Sequence, residues 1–521
     1  MRVLRQRHAR FTWLDRRAPT FGHAMAKLIA ACAALAGISL LLPSDPSYDP
    51  WAWLVWGREL AHGTLDTSGG PSWKPLPVVF TTLVARLEDV NEGLPVALWM
   101  VVARAGALLA LAMAFRLASR LAGGGLAGGV GGVVAAVALA LMPDWFQFTA
   151  HGSEAPAAVA LMLWAIERHL DERHAHAVVL GTLACLLRPE LFPFLVLYGL
   201  WAWWTKPRLR PLLLGVLALM PIAWIAPDWI GSGNPLDGGR QAQSQPIWSL
   251  SLVEHPWLRA LERADNHAGL AVELLALFGV TWALVRRRWA VVALGAGALA
   301  EVALYLAMTQ AGFSGNPRYV LPALAVASVL AGVGAAGLLD AAATIPGRVP
   351  RLAGLAAALA FVALLGVPFI EERGQLLRKD ARQVERRMDT HRDLARAVKA
   401  VGGPGAVAAI GTATANRALH TRLAWELRVP IQQVEAVTDH RVVFRSLREK
   451  LNGRVYMRGK ARSRRTLARV GRIWVYRRNG VTFPLARHPL DTIGPAFTSG
   501  LQGIHTSVGS ERIPGARVVT R

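Results

Sequence analysis

Two aspartates, Asp45 and Asp49, stand in a proline-bounded stretch, Ser44-Asp45-Pro46-Ser47-Tyr48-Asp49-Pro50-Trp51-Ala52-Trp53, that follows directly on the first apolar run of the chain. A carboxylate set against aromatic rings can take the proton of an attacking hydroxyl or share in holding a metal ion. Asp49 lies between Tyr48 and Pro50. That surround restrains its rotamer and raises its basicity by desolvation. Both acids have plain structural alternatives. Asp45 can cap the loop, and Asp49 can open the helix that carries Trp53 and Trp56. The weight falls on structure for Asp45 and on chemistry for Asp49. Asp66, among Thr, Ser and Gly, reads as solvated.

The same loop ends in Trp73-Lys74-Pro75-Leu76-Pro77. A lone cation at a membrane surface can bind a lipid phosphate as a point charge, or simply snorkel to anionic head groups. Arg318, in Gly315-Asn316-Pro317-Arg318-Tyr319, opens an apolar run, where its fork could bind phosphate bidentately. Arg188-Pro189-Glu190 interrupts a pair of apolar runs. Ionisable residues at membrane depth face a bundle interior or a cavity, so Arg188 is a further candidate phosphate ligand and Glu190 a substrate-facing acid. An internal Arg188–Glu190 pair is the equal alternative. Glu154 and Asp144 mark another short loop, and either can be the second acid of a site or an ordinary helix-start charge. Glu301 lies within an apolar run and has no obvious partner. His151, His255 and His267 read as ordinary solvated histidines.

No Walker loop, Gly-rich nucleotide fingerprint or His/Cys metal spacing occurs in the chain. Cys32 and Cys185 both lie in apolar runs and read as packing residues, which leaves no cysteine-based metal site or disulfide framework. No cofactor is demanded, and a divalent metal held by the carboxylates stays an open alternative. The net charge is +24, of which +18 falls after residue 370. A charge confined to one end of a chain that is 53% hydrophobic argues against nucleic acid as a partner.

What must hold these residues is a membrane bundle. The apolar content and several runs near the 20 residues needed to cross a bilayer predict an all-α polytopic membrane protein. About eleven spans are expected: 26–43, 94–117, 123–142, one from Pro156, 175–187, 191–204, 211–226, 270–285, 289–308, 319–338 and 352–370. The stretch 75–87 is expected to lie in the interface. Basic loops fall on one side throughout, which places the basic N-terminus 1–25 in the cytoplasm and the Asp45–Lys74 loop outside. Met1–Arg17 followed by an apolar run, with no small-residue cleavage site before Pro43, reads as a signal anchor. The glycines of 123–132 read as a helix-packing surface rather than a phosphate cradle.

An odd number of spans places residues 371–521 outside as a basic domain. Within it, 381–401 has helical spacing, 406–410 and 471–476 read as buried strands, and 415–427 reads as a helix, giving a small α/β unit over about 390–480. The Gly/Ser/Thr-rich end 483–521 is expected to be poorly ordered. The basic surface suits anionic lipid heads, an acidic polysaccharide or an acidic partner.

In order, a first span, Tyr48-Asp49…Gly57…Gly63, Lys74-Pro75, a short interfacial helix, further spans and Arg318-Tyr319-Val320-Leu321-Pro322 resemble the GT-C superfamily over about 26–370. These are integral-membrane glycosyltransferases that use polyprenyl-phosphate-linked sugars. The resemblance is to the bacterial branch with protein mannosyltransferases and lipid A aminoarabinose transferases. It implies a multi-pass protein of the plasma (inner) membrane, with a polyprenyl-phosphate-linked sugar as donor and a cell-envelope glycan, lipid or protein as acceptor. It implies Asp49 as the loop carboxylate near the acceptor, Lys74 and Arg318 on the lipid phosphate, and Asp144 or Glu154 as the second acid. Direct displacement at the anomeric carbon, with inversion, is the reaction it implies. Relatives often carry Asp-Glu and Lys-Pro-Pro, whereas here Pro50 follows Asp49, Trp73 precedes Lys74 and Leu76 interrupts the prolines. These departures bear against a bound metal and keep Asp45 as a competitor for the base. A transporter or flippase of lipid-linked glycans, which would show paired broken helices, and a non-catalytic envelope scaffold are the alternatives from other classes.

Overall fold

The structure is a computed structural model that describes residues 21–244, 249–436, 440–446 and 460–482. The basic segment 1–17 and the tail 483–521 lie outside the described residues. The first third of the chain folds into α1 (Phe21–Ser39), α2 (Tyr48–Ala61), α3 (Pro75–Val84), α4 (Leu94–Leu121), α5 (Gly125–Ala140), α6 (Trp145–Ala150) and α7 (Ala155–Leu170). A hairpin of α8 (His174–Leu187) and α9 (Phe192–Thr205) follows, then α10 (Arg210–Ser232) and the short α11 (Asp237–Gln243). Next come α12 (Pro256–Ala268), α13 (Leu270–Val285), α14 (Trp289–Gln310), α15 (Leu321–Ala343) and α16 (Arg348–Ala400). The C-terminal part holds α17 (Gly403–Ile410), β1 (Ala413–Ala415), α18 (His420–Leu427), α19 (Ile431–Glu435), β2 (Val442–Ser446), β3 (Lys460–Val470) and β4 (Ile473–Thr482).

The architecture is that of a helical polytopic membrane protein with a small C-terminal sheet. Each expected span coincides with a helix. Among the described residues six helices are long and apolar enough to cross a membrane, or seven if the bent pair α12–α13, turned by 86°, counts as one. The shorter α5 and α8 are apolar as well. Helix α3 is short, starts at Pro75 and covers the stretch expected to lie in the interface.

The bundle is organised around α15, which is buried along nearly its whole length. Its small residues allow backbones to touch. A methyl added at Gly334 would stand 1.9 Å from the Leu275 carbonyl oxygen of α13, and one at Gly332 would stand 2.2 Å from the Gly131 carbonyl of α5. In lipid no hydrophobic force drives helix against helix, so this close packing carries the association. Gly128, Gly131 and Gly132 of α5 all meet neighbours in this way, whereas Gly129 faces open space. The expected packing surface therefore occupies one side of that helix.

Helix α16 is one continuous helix of 53 residues that runs from the apolar stretch into the charged one. Its Pro368 lies inside it, and Gly402 in a left-handed conformation ends it. The C-terminal sheet has the order β1-β2-β4-β3, with β1 and β2 parallel and the other pairs antiparallel. Two expectations need correction here. The run 406–410, read as a strand, belongs to α17, because Pro404 presets the first turn and three alanines favour helix over strand. The strand expected at 471–476 begins at Ile473 and runs to Thr482, since Gly471 forms the turn from β3. The region 415–427 is a short 3₁₀ turn followed by α18.

Candidate functional site

Helix α2 carries the first acid. Its first turn holds Tyr48, Asp49 and Pro50, and its body buries Trp51, Trp53 and Trp56 almost completely. An acid in the first turn faces the positive end of the helix dipole. The α2–α3 contact is tight at Gly57, where a methyl would stand 2.7 Å from the Thr81 backbone, and Thr81 Oγ1 donates to the Trp53 carbonyl at 2.7 Å. Between the helices, Trp56 Nε1 donates to the Asp66 carbonyl at 3.0 Å, and Trp73 Nε1 donates to the Ala223 carbonyl of α10 at 3.1 Å. The tryptophans thus tie the loop both to itself and to the bundle. Asp66 is not solvated as expected: it is half-buried and its carboxylate accepts from Ser68 within an Asx turn.

Lys74 precedes α3 in extended conformation, which Pro75 imposes on the residue before it. Its Nζ stands 3.1 Å from Glu154 Oε1 and donates to the Leu187 carbonyl at 3.2 Å. That carbonyl is at the C-terminal, negative end of α8. Pro189 stops α8 at Arg188, whose guanidinium reaches Glu154 at 3.0 Å and also pairs with Glu190. Arg188 lies 5.0 Å from the centre of the Tyr319 ring, and Arg318 lies 6.0 Å from the same ring. Arg318 in turn pairs with Asp49. Lys74, Arg188, Arg318, Asp49, Glu154 and Glu190 therefore form one cluster, built by the loop, the start of α7, the α8–α9 break and the turn before α15.

Three cations meet three acids in this cluster, and Lys74, Arg188, Glu154 and Glu190 are all buried. Burial alone would raise the Glu154 carboxyl, but Lys74, Arg188 and Arg318 outweigh it and hold the group below the usual carboxylate range. For Lys74, burial pulls the ammonium down and Glu154 opposes that pull. The Nε groups of Arg188 and Arg318 are buried without a protein hydrogen-bond partner, as is Glu190 Oε2. The cluster thus holds donor capacity that the protein's own acids leave unused.

The other candidates lie elsewhere. Asp45 is buried and pairs with His391 of α16, while its carbonyl stands 3.0 Å from His151 Nδ1. His151 is not the solvated residue expected: burial, with a smaller contribution from Arg387, lowers its pKa to about 4. Asp144 takes a left-handed conformation at the start of α6 and stands 3.1 Å from His267 Nε2. Glu301 is buried in α14 with Oε2 unpartnered. Among the described residues no group of three or more His, Cys, Asp or Glu is placed to hold a metal ion.

Sequence reasoning missed the partners that the C-terminal part supplies. Tyr48 donates to Glu435, the Gly70 amide donates to the same carboxylate at 2.8 Å, and His420 Nδ1 stands 3.5 Å from it. Burial works against the Glu435 charge, but the hydrogen bonds from His420, Tyr48 and Gly70 hold its pKa below the ordinary value. Arg422 lies 4.0 Å from the centre of the Trp51 ring, and Arg58 lies 4.7 Å from that of Trp425. The loop carrying Asp49 is consequently packed between the bundle and the C-terminal part. No spacing in the sequence announces such contacts; the one signal was the aromatic density of the loop, too high for a simple connector.

Glu59, on the buried side of α2, offers a test of this packing. One of its oxygens accepts from the Asp66 amide at 3.1 Å and the other has no hydrogen-bond partner. Burial raises its pKa from 4.5 to about 7. The folded state then holds a proton that the unfolded state releases between those values, so stability falls as pH rises through that window and levels off above about pH 7. The loss approaches roughly 3 kcal/mol at about 1.4 kcal/mol per pH unit. A Glu59→Gln variant should match wild type near pH 4 and exceed it at pH 8 when unfolding is followed in detergent. Parallel pH curves for the two proteins would contradict this.

No family model and no curated protein matches the chain. Among solved structures it is similar to ArnT from Cupriavidus metallidurans bound to undecaprenyl phosphate, at 14% identity and a TM-score of 0.51, over 87% of this chain and 98% of that one. The apo state of ArnT from the same organism aligns at 15% identity and a TM-score of 0.47, over 88% and 98%. The first likeness shows the fold, and it is the fold that the GT-C resemblance leads one to expect.

Proposed function

We propose that the protein is a membrane glycosyltransferase that moves a sugar from a polyprenyl-phosphate donor to a hydroxyl of a cell-envelope glycan, lipid or protein on the outer face of the membrane. The observation that carries this reading is the convergence of Lys74, Arg188 and Arg318 on one buried cluster with Asp49 and Glu154. A fold similar to that of an ArnT bound to undecaprenyl phosphate supports the choice of donor. The lipid phosphate would engage Lys74, Arg188 and Arg318 in competition with their present acids, using the two guanidinium N–H groups that have no protein partner.

In the reaction, the acceptor oxygen attacks the anomeric carbon as the bond from that carbon to the phosphate oxygen breaks. The acceptor proton passes to Asp49, and the negative charge developing on the leaving phosphate is stabilised by Lys74, Arg188 and Arg318. Asp49 is favoured as the base over Asp45, whose carboxylate is held by His391 in a buried position. Glu154 is favoured over Asp144 as the second acid because it touches two of the cations, while Asp144 is paired with His267. Glu154 and Glu190 orient Lys74 and Arg188 until the phosphate arrives.

Purified full-length protein, given a labelled polyprenyl-phosphate sugar and an envelope fraction, should form labelled product and release polyprenyl phosphate. A labelled nucleotide sugar supplied alone should give none. Failure to transfer from a panel of polyprenyl-phosphate hexoses and pentoses would overturn the reading.

A further inference from the structure

The α8–α9 hairpin presents Arg188 to the cluster at one end. Each arm has 14 residues, so its other end is about 20 Å away. At that far end a cavity of about 480 Å³ opens between the start of α8 and the Thr205–Leu209 turn into α10. Its walls carry Arg173, His174, His176, Lys206 and Arg208, with Glu172 as the one acid. Among the described residues none of Arg173, Lys206 and Arg208 has an ion-pair partner. This sets the cavity apart from the Lys74–Arg188–Arg318 cluster, where each cation already has an acid.

An aromatic cluster adjoins the cavity through His174. Trp201 and Trp204, in the last turn of α9, are exposed, and Trp201 packs against His169, His174 and Tyr198 at centroid distances of 5.2 to 5.4 Å. Exposed tryptophans at the end of an apolar helix belong at the level of lipid head groups. The cations therefore stand where the phosphates of a leaflet stand, and the volume falls within the range of ligand sites. The free amides at the start of α8 add to the positive potential.

We propose that this cavity binds the phosphate of an anionic phospholipid headgroup from the leaflet at the Thr205 end of α9. A lipid is preferred to a soluble phosphate because the cavity lies at the end of an apolar helix beside exposed tryptophans. Basic pockets between membrane helices commonly serve this purpose. Each cation close to an anionic headgroup is worth about a factor of five in affinity, so removing two should weaken binding about thirtyfold.

Native mass spectrometry of the full-length protein in detergent, with phosphatidylglycerol, phosphatidylcholine of the same chains and inorganic phosphate as probes, tests this. Wild type should retain phosphatidylglycerol in preference to phosphatidylcholine. A Lys206→Ala/Arg208→Ala variant should bind phosphatidylglycerol about thirtyfold more weakly. Equal retention of the two lipids, or unchanged phosphatidylglycerol binding in the double variant, would overturn the site. Inorganic phosphate displacing phosphatidylglycerol at equal concentration would overturn the lipid assignment in favour of a soluble anion.

Discussion

An Arg188→Ala variant is expected to lose both stability and sugar transfer. The guanidinium is 1% exposed and is shared between Glu154 and Glu190. Its removal leaves Glu154 with Lys74 at 3.1 Å but strips Glu190 of its ion-pair partner inside the protein. Breaking a buried pair from one side costs about 3–5 kcal/mol, because the surviving charge stays desolvated. Loss of one stabiliser of a developing phosphate charge would lower the transfer rate by about 10²–10³. Thermal unfolding in detergent reads the first effect and the transfer assay the second. An Arg188→Met/Glu190→Leu double variant separates them. With both charges gone and volume kept, stability should return to within about 1–2 kcal/mol of wild type, while transfer stays lost. A double variant that transfers at the wild-type rate would remove Arg188 from the proposed machinery. A single variant as stable as wild type would mean that the cluster is more hydrated than its burial indicates.

The second large effect concerns Asp49. Asparagine keeps its size and can still accept from Arg318, but it cannot take a proton. If Asp49 is the base, Asp49→Asn should reduce the rate of transfer by about 10²–10⁴, with donor binding kept or tightened because Arg318 loses a competing acid, and with little change in thermal stability because Asp49 is only half-buried. The matching change at Asp45 should behave in the opposite way. Asp45→Asn disturbs a buried pair with His391 at the α16 contact, so stability should fall while the surviving protein keeps most of its turnover. Rates and unfolding midpoints for the two variants form a cross-over. If Asp45→Asn abolished turnover without destabilising the protein while Asp49→Asn retained it, the assignment of the base would be reversed.

Both predictions rest on contacts that a linear reading reached only in part. Arg188 and Glu190, two residues apart with a proline between them, already offered an internal pair as one of two readings, and the structure has that pair. It also adds Glu154, whose place beside Lys74 depends on α7, α8 and the loop meeting at one point. The small-residue surface on α5 was legible because glycine at helical spacing has few other uses in lipid. The strands β2 and β3 were not anticipated, since β3 reads as a charged segment: its arginines face outward and only its pairing with β4 makes it a strand. The helix α17 was mistaken for a strand because a five-residue apolar run has no period long enough to tell the two apart.

What the sequence determines by itself is the class of the molecule: apolar runs separated by basic loops, and one loop too rich in acids and tryptophans to be a connector. Burial of apolar surface depends mainly on local composition, so it can be read run by run. What the tertiary structure decided is which charge stands against which. Asp49 meets Arg318 across 269 residues and Tyr48 meets Glu435 across 387, while Asp45 is engaged by His391. The state of a buried ionisable group is set by its desolvation and by the partners folding brings to it. Neither is a property of its neighbours in sequence, so two aspartates four positions apart end in different surroundings.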